Sequence, residues 1–263
     1  MLCAFNADTG TLLWTADLGF SQFAGMLSSP AVENGIVYVG TPNGTLYALN
    51  AATGAVVWTA PVFGEIYAPP SVYNGVVYVG AGGMGSEAYA FVASTGKLIW
   101  TALTDYEIYA AAAVAEGVVY VASTDYNLYA FNATTGGLIW KYYTGSELYN
   151  PPAVAAGVVY LNGNYLYALN AATGALLWTA AASGNSSPVV ANGVVYIEGE
   201  AFDAATGAVL WGAPGTQLVN SSAAVVNGVA YIQAVDSGLI AYALPNGGPR
   251  PPARPDPVTL GPH

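Results

Sequence analysis

At 263 residues the chain can bury a sizeable core, yet only 7% of it is charged and 54% is hydrophobic, against a usual charged share of roughly a quarter. The formal net charge is −11, and Lys97, Lys141, Arg250 and Arg254 are its only lysines and arginines; such a surface repels phosphate backbones and anionic bilayers and excludes nucleic acid as a partner. One cysteine, Cys3, rules out an internal disulfide and a cysteine metal cluster, and the apolar runs are too short for a membrane-spanning helix.

Met1 to Phe5 and Leu12 to Thr15 open the chain as two short strands around Asn6-Ala7-Asp8-Thr9-Gly10. A complete repeat then runs from Ser28 to Thr59. Its first strand is Ser29 to Val32, followed by the tight turn Glu33-Asn34-Gly35, where Asn-Gly tolerates positive φ. Ile36 to Gly40 forms the second strand and Leu46 to Asn50 the third, joined by the loop Thr41-Pro42-Asn43-Gly44. Ala51 to Gly54 turns the chain into an outermost strand, Val56 to Thr59. The two middle strands are apolar at consecutive positions, which implies cover on both faces.

Measured against this repeat, the opening pair is a third and fourth strand without a first or second. Thr-Gly-x-x-x-Trp recurs six times, at Gly10/Trp14, Gly54/Trp58, Gly96/Trp100, Gly136/Trp140, Gly174/Trp178 and Gly207/Trp211, and the tryptophans lie 44, 42, 40, 38 and 33 residues apart. A period near forty with strands and turns inside each copy is the mark of a β-propeller. The earlier turn recurs as Asn74-Gly75, Glu116-Gly117, Ala156-Gly157, Asn192-Gly193 and Asn227-Gly228. The uneven spacing around Glu198-Gly199-Glu200-Ala201-Phe202 predicts a bulge or an atypical third strand in the fifth copy.

Ala223 to Val226, Val229 to Gln233 and Leu239 to Leu244 end the repeats as first, second and third strands, with Asn246-Gly247 next and no further Trp. The expected architecture is all-β: a six-bladed propeller of four-stranded antiparallel blades over residues 1–247. N- and C-terminal strands pair to close it, within the chain or between subunits, with the Trp14 strand outermost in the last blade. One third-type strand is then surplus: displaced, paired with another subunit, or a sign of a larger ring. Residues 248–263 hold six prolines and read as an extended arm, either a disordered tail or a segment that docks on a neighbouring subunit through Val258-Thr259-Leu260.

Leu46 to Trp58, Gly75 to Gly80 and Leu166 to Trp178 resemble the repeat of the pyrroloquinoline-quinone (PQQ)-type propellers. The resemblance implies that each Trp docks against the glycine of a neighbouring blade, and it carries no chemistry of its own. That family divides into quinoprotein dehydrogenases and non-catalytic scaffolds, including an outer-membrane barrel-assembly lipoprotein. The enzymes hold their tricarboxylate quinone with cationic side chains and often a Cys-Cys pair. Here Cys-Cys is missing and the propeller's two lysines, Lys97 and Lys141, fall at outermost strands, so no cofactor is expected.

Ten residues before three successive turn glycines stand Glu65, Glu107 and Glu147, each followed two residues later by Tyr67, Tyr109 or Tyr149. These segments lead into innermost strands and place three carboxylates and three phenols along one arc of the funnel rim. They form either a pocket for a cation, sugar or peptide or a repeat-duplicated packing feature. His263 is the only histidine, so the propeller offers no histidine acid–base site. Cys3 occupies the slot of Tyr47 and Tyr167, which predicts a buried thiol. Gly82-Gly83-Met84-Gly85 lacks the Lys-Ser/Thr of a phosphate loop, and Asn43-Gly44-Thr45 and Asn132-Ala133-Thr134 match the N-glycosylation pattern.

These features point to a non-catalytic, extracellular or cell-surface structural propeller that associates with copies of itself, with a glycan or another surface protein as further partners. Its targeting segment would lie outside this sequence. The alternatives are a monomeric protein- or sugar-binding scaffold using the rim, and a PQQ-dependent dehydrogenase-like enzyme.

Overall fold

Tight turns set the innermost hairpin of each repeat. In the computed structural model, which describes residues 1–19, 28–83, 85–182, 186–197, 199–212, 222–226, 229–234, 238–243 and 258–259, Asn34 and Gly35 take φ of 49° and 76°. Two successive left-handed residues match the right-handed twist of the flanking strands. Asn74, Glu116, Ala156 and Asn192 repeat the geometry with φ between 48° and 52°. Glu116 and Ala156 hold it without the local hydrogen bonding that makes Asn tolerant there. The sixth copy, Asn227-Gly228, lies outside the described residues.

The opening pair is β1 (Leu2–Phe5) and β2 (Leu12–Ala16), which form a two-stranded sheet. Four-stranded antiparallel sheets follow in chain order: β3 (Ala31–Glu33), β4 (Ile36–Gly40), β5 (Thr45–Asn50) and β6 (Val56–Pro61); then β7 (Ser71–Tyr73), β8 (Val76–Gly80), β9 (Glu87–Val92) and β10 (Leu98–Leu103). The third is β11 (Ala113–Ala115), β12 (Val118–Ala122), β13 (Asn127–Asn132) and β14 (Leu138–Tyr143). These four sheets make up one compact unit, Met1–Tyr149. The second unit, Asn150–His263, holds β15 (Ala153–Ala155), β16 (Val158–Asn162), β17 (Leu166–Asn170) and β18 (Leu176–Ala180), then β19 (Val189–Ala191), β20 (Val194–Ile197), β21 (Glu200–Asp203) and β22 (Val209–Gly212). Its last sheet is β23 (Ala224–Val226), β24 (Val229–Ala234), β25 (Gly238–Ala243) and β26 (Val258–Thr259). Each four-stranded sheet is a meander of hairpins, and from β3 to β22 the second and third strands are buried almost end to end, as their unbroken apolar runs require.

Two expectations are corrected and a third is refined. Among the described residues the Trp14 strand does not complete the last sheet: β2 pairs with β1 alone, and the outer position beside β25 is taken by Val258–Thr259 (Ile240↔Thr259, Ala241↔Val258). The sticky segment of the proline arm therefore pairs within its own chain; residues 248–257 and 260–263 lie outside the described residues. Cys3 is exposed rather than buried, because the face of the hairpin that carries it is uncovered, whereas Tyr47 packs beside Leu2, Trp14 and Leu18. The atypical third strand expected in the fifth copy is present, while the bulge before the tryptophan is common to the repeats. Ala48 pairs with Trp58 and Leu49 with Val56, leaving Val57 extra, and the same shift occurs at Ile139, Leu177 and Leu13. What sets the fifth copy apart is its shortened third strand, β21, in unbroken register with β20.

Within each unit one joint ties neighbouring sheets together. Trp14 donates its indole N–H to Ala51 O (2.8 Å), Trp58 to Ala93 O (2.9 Å) and Trp100 to Ala133 O (2.9 Å) in the first unit, and Trp178 to Ala204 O (3.1 Å) in the second. Each indole lies on the glycine of the same turn. A Cβ on Gly54, Gly96, Gly136 or Gly207 would sit 2.5–2.8 Å from the ring, and all four have positive φ. Alanine opposite each indole in the sheet (Ala48↔Trp58, Ala90↔Trp100, Ala168↔Trp178) leaves room for it. A tyrosine from the second strand tilts against the same ring at 5.8–5.9 Å, as in Tyr38–Trp58, Tyr78–Trp100, Tyr120–Trp140 and Tyr160–Trp178. Trp211 pairs with Tyr196 at 6.4 Å, and Gly174 holds its turn at φ 71°.

Trp100→Ala should cost about 3–5 kcal/mol, since it removes a buried indole and leaves a cavity. Ala156→Asn should stabilise the protein by roughly 1 kcal/mol by relieving a left-handed alanine. Urea midpoints measure both, and an unchanged midpoint for Ala156→Asn would refute the strain at that turn.

Candidate functional site

The Glu-x-Tyr segments lie where one sheet's outermost strand hands over to the next sheet's innermost, and each is pinned through its middle residue. Ile66 N–H donates to Thr41 O (3.1 Å), Ile108 to Ala81 O (3.3 Å) and Leu148 to Ser123 O (3.3 Å), each acceptor just past the end of a second strand. The three side chains are fully buried. Ile66 and Ile108 drive their β-branches into Gly40 and Gly80: a Cβ on those glycines would stand 2.1 and 2.2 Å from Cγ2 of the isoleucine. In the third copy the pair is Ala122 and Leu148. Leucine has no branch at Cβ, so the alanine methyl is admitted.

With the middle residue held inward, extended backbone turns its two neighbours outward. Tyr67 and Tyr109 stack with ring centres 5.7 Å apart and planes 22° from parallel, and Tyr109 meets Tyr149 at 5.9 Å and 36°. Tyr67 donates to Glu65 Oε2 (2.9 Å) and Tyr149 to Glu147 Oε2 (2.6 Å). Glu107 instead accepts from Thr124 Oγ1 (3.3 Å). Glu65 is further fixed by a two-way backbone bridge to Gly82, at 3.1 and 2.8 Å. All six predicted rim residues thus come together within the first compact unit as a three-ring ladder edged by carboxylates.

The phenols are held protonated. Tyr149 is pushed up to about 12, first by its hydrogen bond to Glu147 and then by burial. Tyr67 is raised chiefly by its bond to Glu65, and Tyr109 by burial followed by the charges of Glu107 and Glu65. Each ring therefore remains neutral at any ordinary pH.

Two related pairs were not anticipated. Tyr89 donates to Glu87 within β9, a fourth Glu-x-Tyr that the sequence does display, as Glu87-Ala88-Tyr89. Buried Asp125 accepts from Tyr129 Oη (2.6 Å), Asp105 N (2.9 Å), Asn127 N (2.9 Å) and Asn127 Nδ2 (3.1 Å). That network is nonlocal and carries no motif. Beside it Tyr126 holds φ 73° in the slot that Gly44 fills at φ 77°, with its carbonyl accepting from Thr144 N (2.8 Å) and Oγ1 (2.9 Å).

The arc can stack on a planar or aliphatic group and accept hydrogen bonds from a cationic one. It offers no nucleophile paired with a base. A tricarboxylate quinone does not fit it, because the groups facing outward are anionic or neutral. Among the described residues no three His, Cys, Asp or Glu side chains are placed to hold a metal ion.

The chain belongs to the family described as outer membrane protein assembly factor BamB, whose model matches residues 2–110, 84–200 and 151–250. Relatives of that name from Salmonella typhimurium and Yersinia pestis are 37% identical over 75 residues and 40% over 76. Each match covers 26% of this chain and 19% of the relative, so the chain spans about a fifth of the curated relatives it matches. The crystal structure of BamB from Moraxella catarrhalis superposes with a TM-score of 0.71 at 18% identity, over 91% of this chain and 76% of that one. The computationally designed Ika8 protein gives 0.69 at 16% identity, over 86% and 73%. The sheets are accordingly blades of the β-propeller type.

Two measurements test the site's construction. Gly80→Ala should cost about 1–3 kcal/mol by overpacking against Ile108, and adding Ile108→Leu should recover most of that loss. Equal costs with and without the leucine would show that the two side chains are not coupled. A phenol raised above its ordinary value of 10.0 favours the folded state while protonated. The contribution of Tyr149 is therefore complete below pH 10 and lost as pH climbs toward about 12. Glu147→Gln should bring this titration down, as read from phenolate absorbance in difference against Tyr149→Phe.

Proposed function

We propose that this protein is a non-catalytic interaction scaffold whose rim arc (Glu65, Tyr67, Glu107, Tyr109, Glu147 and Tyr149) binds an extended segment of a partner protein. The observation that carries the reading is the stacked tyrosine ladder edged by carboxylates. Its preferred ligand is a backbone bearing cationic and apolar side chains, since the chain's own charge of −11 attracts a basic partner and speeds its approach. Membership of a family named for outer membrane protein assembly supports a role in that process, on the envelope side of the cytoplasmic membrane. Glycan binding fits the aromatic faces less well, because two of the three carboxylates already accept from their own tyrosines.

Self-association is the second reading, and a specific observation favours it. The outer strands expose aliphatic doublets in repeat after repeat, among them Val56 and Val57, Leu98 and Ile99, Leu138 and Ile139, and Leu176 and Leu177. An uncharged surface of that kind is normally covered. Closure of the propeller, with the six full blades and the β1–β2 half blade in one ring or shared between copies, belongs to the same reading.

The rim is tested by titrating the dye-labelled protein with a urea-denatured outer-membrane β-barrel protein and following anisotropy. Alanine at Glu65, Glu107 and Glu147 together should weaken binding by about tenfold or more. Unchanged affinity in that variant would move the binding surface elsewhere.

A further inference from the structure

The three rings of the rim arc are alike in sequence and unlike in bonding. Tyr67 and Tyr149 give their hydroxyl protons to Glu65 and Glu147, two residues back. Tyr109, the middle ring, does not. Glu107 accepts from Thr124 Oγ1 instead (3.3 Å), and among the described residues no group accepts from Tyr109 Oη. The cause lies in the adjoining loop. Thr124 N donates to Glu107 O (3.0 Å), which sets the threonine beside the glutamate, and its hydroxyl draws the carboxylate away from the phenol. The equivalent neighbour of Glu65 is Gly82, and glycine has no hydroxyl to compete with Tyr67.

Two glycines border the carboxylates on either side of that ring. Gly82 and Gly83 stand where the sister loops carry Pro42 and Asn43, or Thr124 and Asp125. A Cβ on Gly82 would lie 3.2 Å from Glu107 Cγ, and one on Gly83 would lie 3.1 Å from Glu65 Oε2. Side chains here would crowd both carboxylates, whereas glycine lets another backbone come close. Glu107 and Glu65 are also the charges that act on the Tyr109 phenol. All of these groups belong to the first unit, where Tyr109 lies between Tyr67 at 5.7 Å and Tyr149 at 5.9 Å.

We infer that Tyr109 is the rim residue that reads the partner's main chain, its Oη donating to a peptide carbonyl while an adjacent lysine or arginine of the partner reaches Glu65 or Glu107. The inference rests on the rim reading and names what its middle ring recognises. A phenol with its proton uncommitted calls for an acceptor. That acceptor is neutral, because a carboxylate or phosphate would meet the field of Glu65, Glu107 and Glu147. It also arrives with positive charge close by, since the carboxylates beside it have lone pairs left for donors. A peptide carbonyl between cationic side chains meets both conditions, and the glycine pair lets its backbone lie close. Tyr67 and Tyr149 contribute ring faces, their hydroxyl protons being held by their own glutamates.

Isothermal titration calorimetry with two probes of equal positive charge tests it: acetyl-tetralysine amide, which has carbonyls, and spermine, which has none. Tyr109→Phe keeps the ring and breaks no internal hydrogen bond, so it should fold as the wild type does. It should weaken peptide binding by about threefold to tenfold, the worth of one hydrogen bond, and leave spermine binding at the wild-type level. Tyr67→Phe and Tyr149→Phe should each weaken peptide binding less than Tyr109→Phe does. Wild-type peptide affinity in Tyr109→Phe, with binding lost on alanine substitution of Glu65, Glu107 and Glu147, would overturn the role of the hydroxyl and leave the rim site standing. Equal losses for peptide and spermine, or equal losses in the three phenylalanine variants, would overturn it as well. A wild type that binds neither probe, or a triple alanine variant that binds the peptide undiminished, would overturn the rim reading together with it.

Discussion

An indole laid on a glycine is the contact on which this molecule depends. The turn must be left-handed at Gly54 and its sisters to end one strand and begin the next, and the missing Cβ is also what admits the ring of the preceding blade. A single residue thus serves the backbone and the packing together. The indole N–H finds a turn carbonyl, which at Ala93 also accepts from the Tyr38 hydroxyl. Because each joint within a unit links one blade to the next, stability accumulates joint by joint, as in other repeat architectures.

The same economy recurs at the rim. Gly40 and Gly80 end second strands where a methyl would strike the isoleucine above, and burial of that isoleucine decides which way its neighbours face. The glutamates and tyrosines of the arc are outward by alternation, as a consequence of an inward plug. Their position is set by apolar packing in the blade beneath, and their registry with one another by the repeat. A ladder of three rings follows from three similar plugs, without any contact designed between the tyrosines themselves.

What could be read in advance was local or repeated. Asn-Gly turns, the six tryptophans, the buried middle strands and the Glu-x-Tyr arc all follow from short patterns whose geometry is fixed within a few residues. Pairings between distant segments were not legible. Nothing in Leu12 to Thr15 says that its sheet stops at two strands, and nothing in Val258–Thr259 says that it pairs with Ile240 and Ala241. Cys3 was misplaced for the same reason: burial of a strand position depends on a neighbour the strand does not encode. Tyr126 is a different case, since a tyrosine at φ 73° hides the slot that Gly44 advertises.

Few charges and many tyrosines suit a surface that recognises without reacting. Charge is scarce over the chain, and each carboxylate of the arc stands two residues from a phenol. The phenols are pushed toward protonation, so they neither act as bases nor add to the negative field. In Glu65 and Glu147 one oxygen is engaged by the adjacent tyrosine, which orients the group and leaves its remaining lone pairs for a ligand. A general acid or base needs its proton equilibrium poised near the working pH, and the phenols here are moved the other way. For the scaffold proposed above, the arrangement supplies acceptors and ring faces on side chains that the blade packing has already fixed in place.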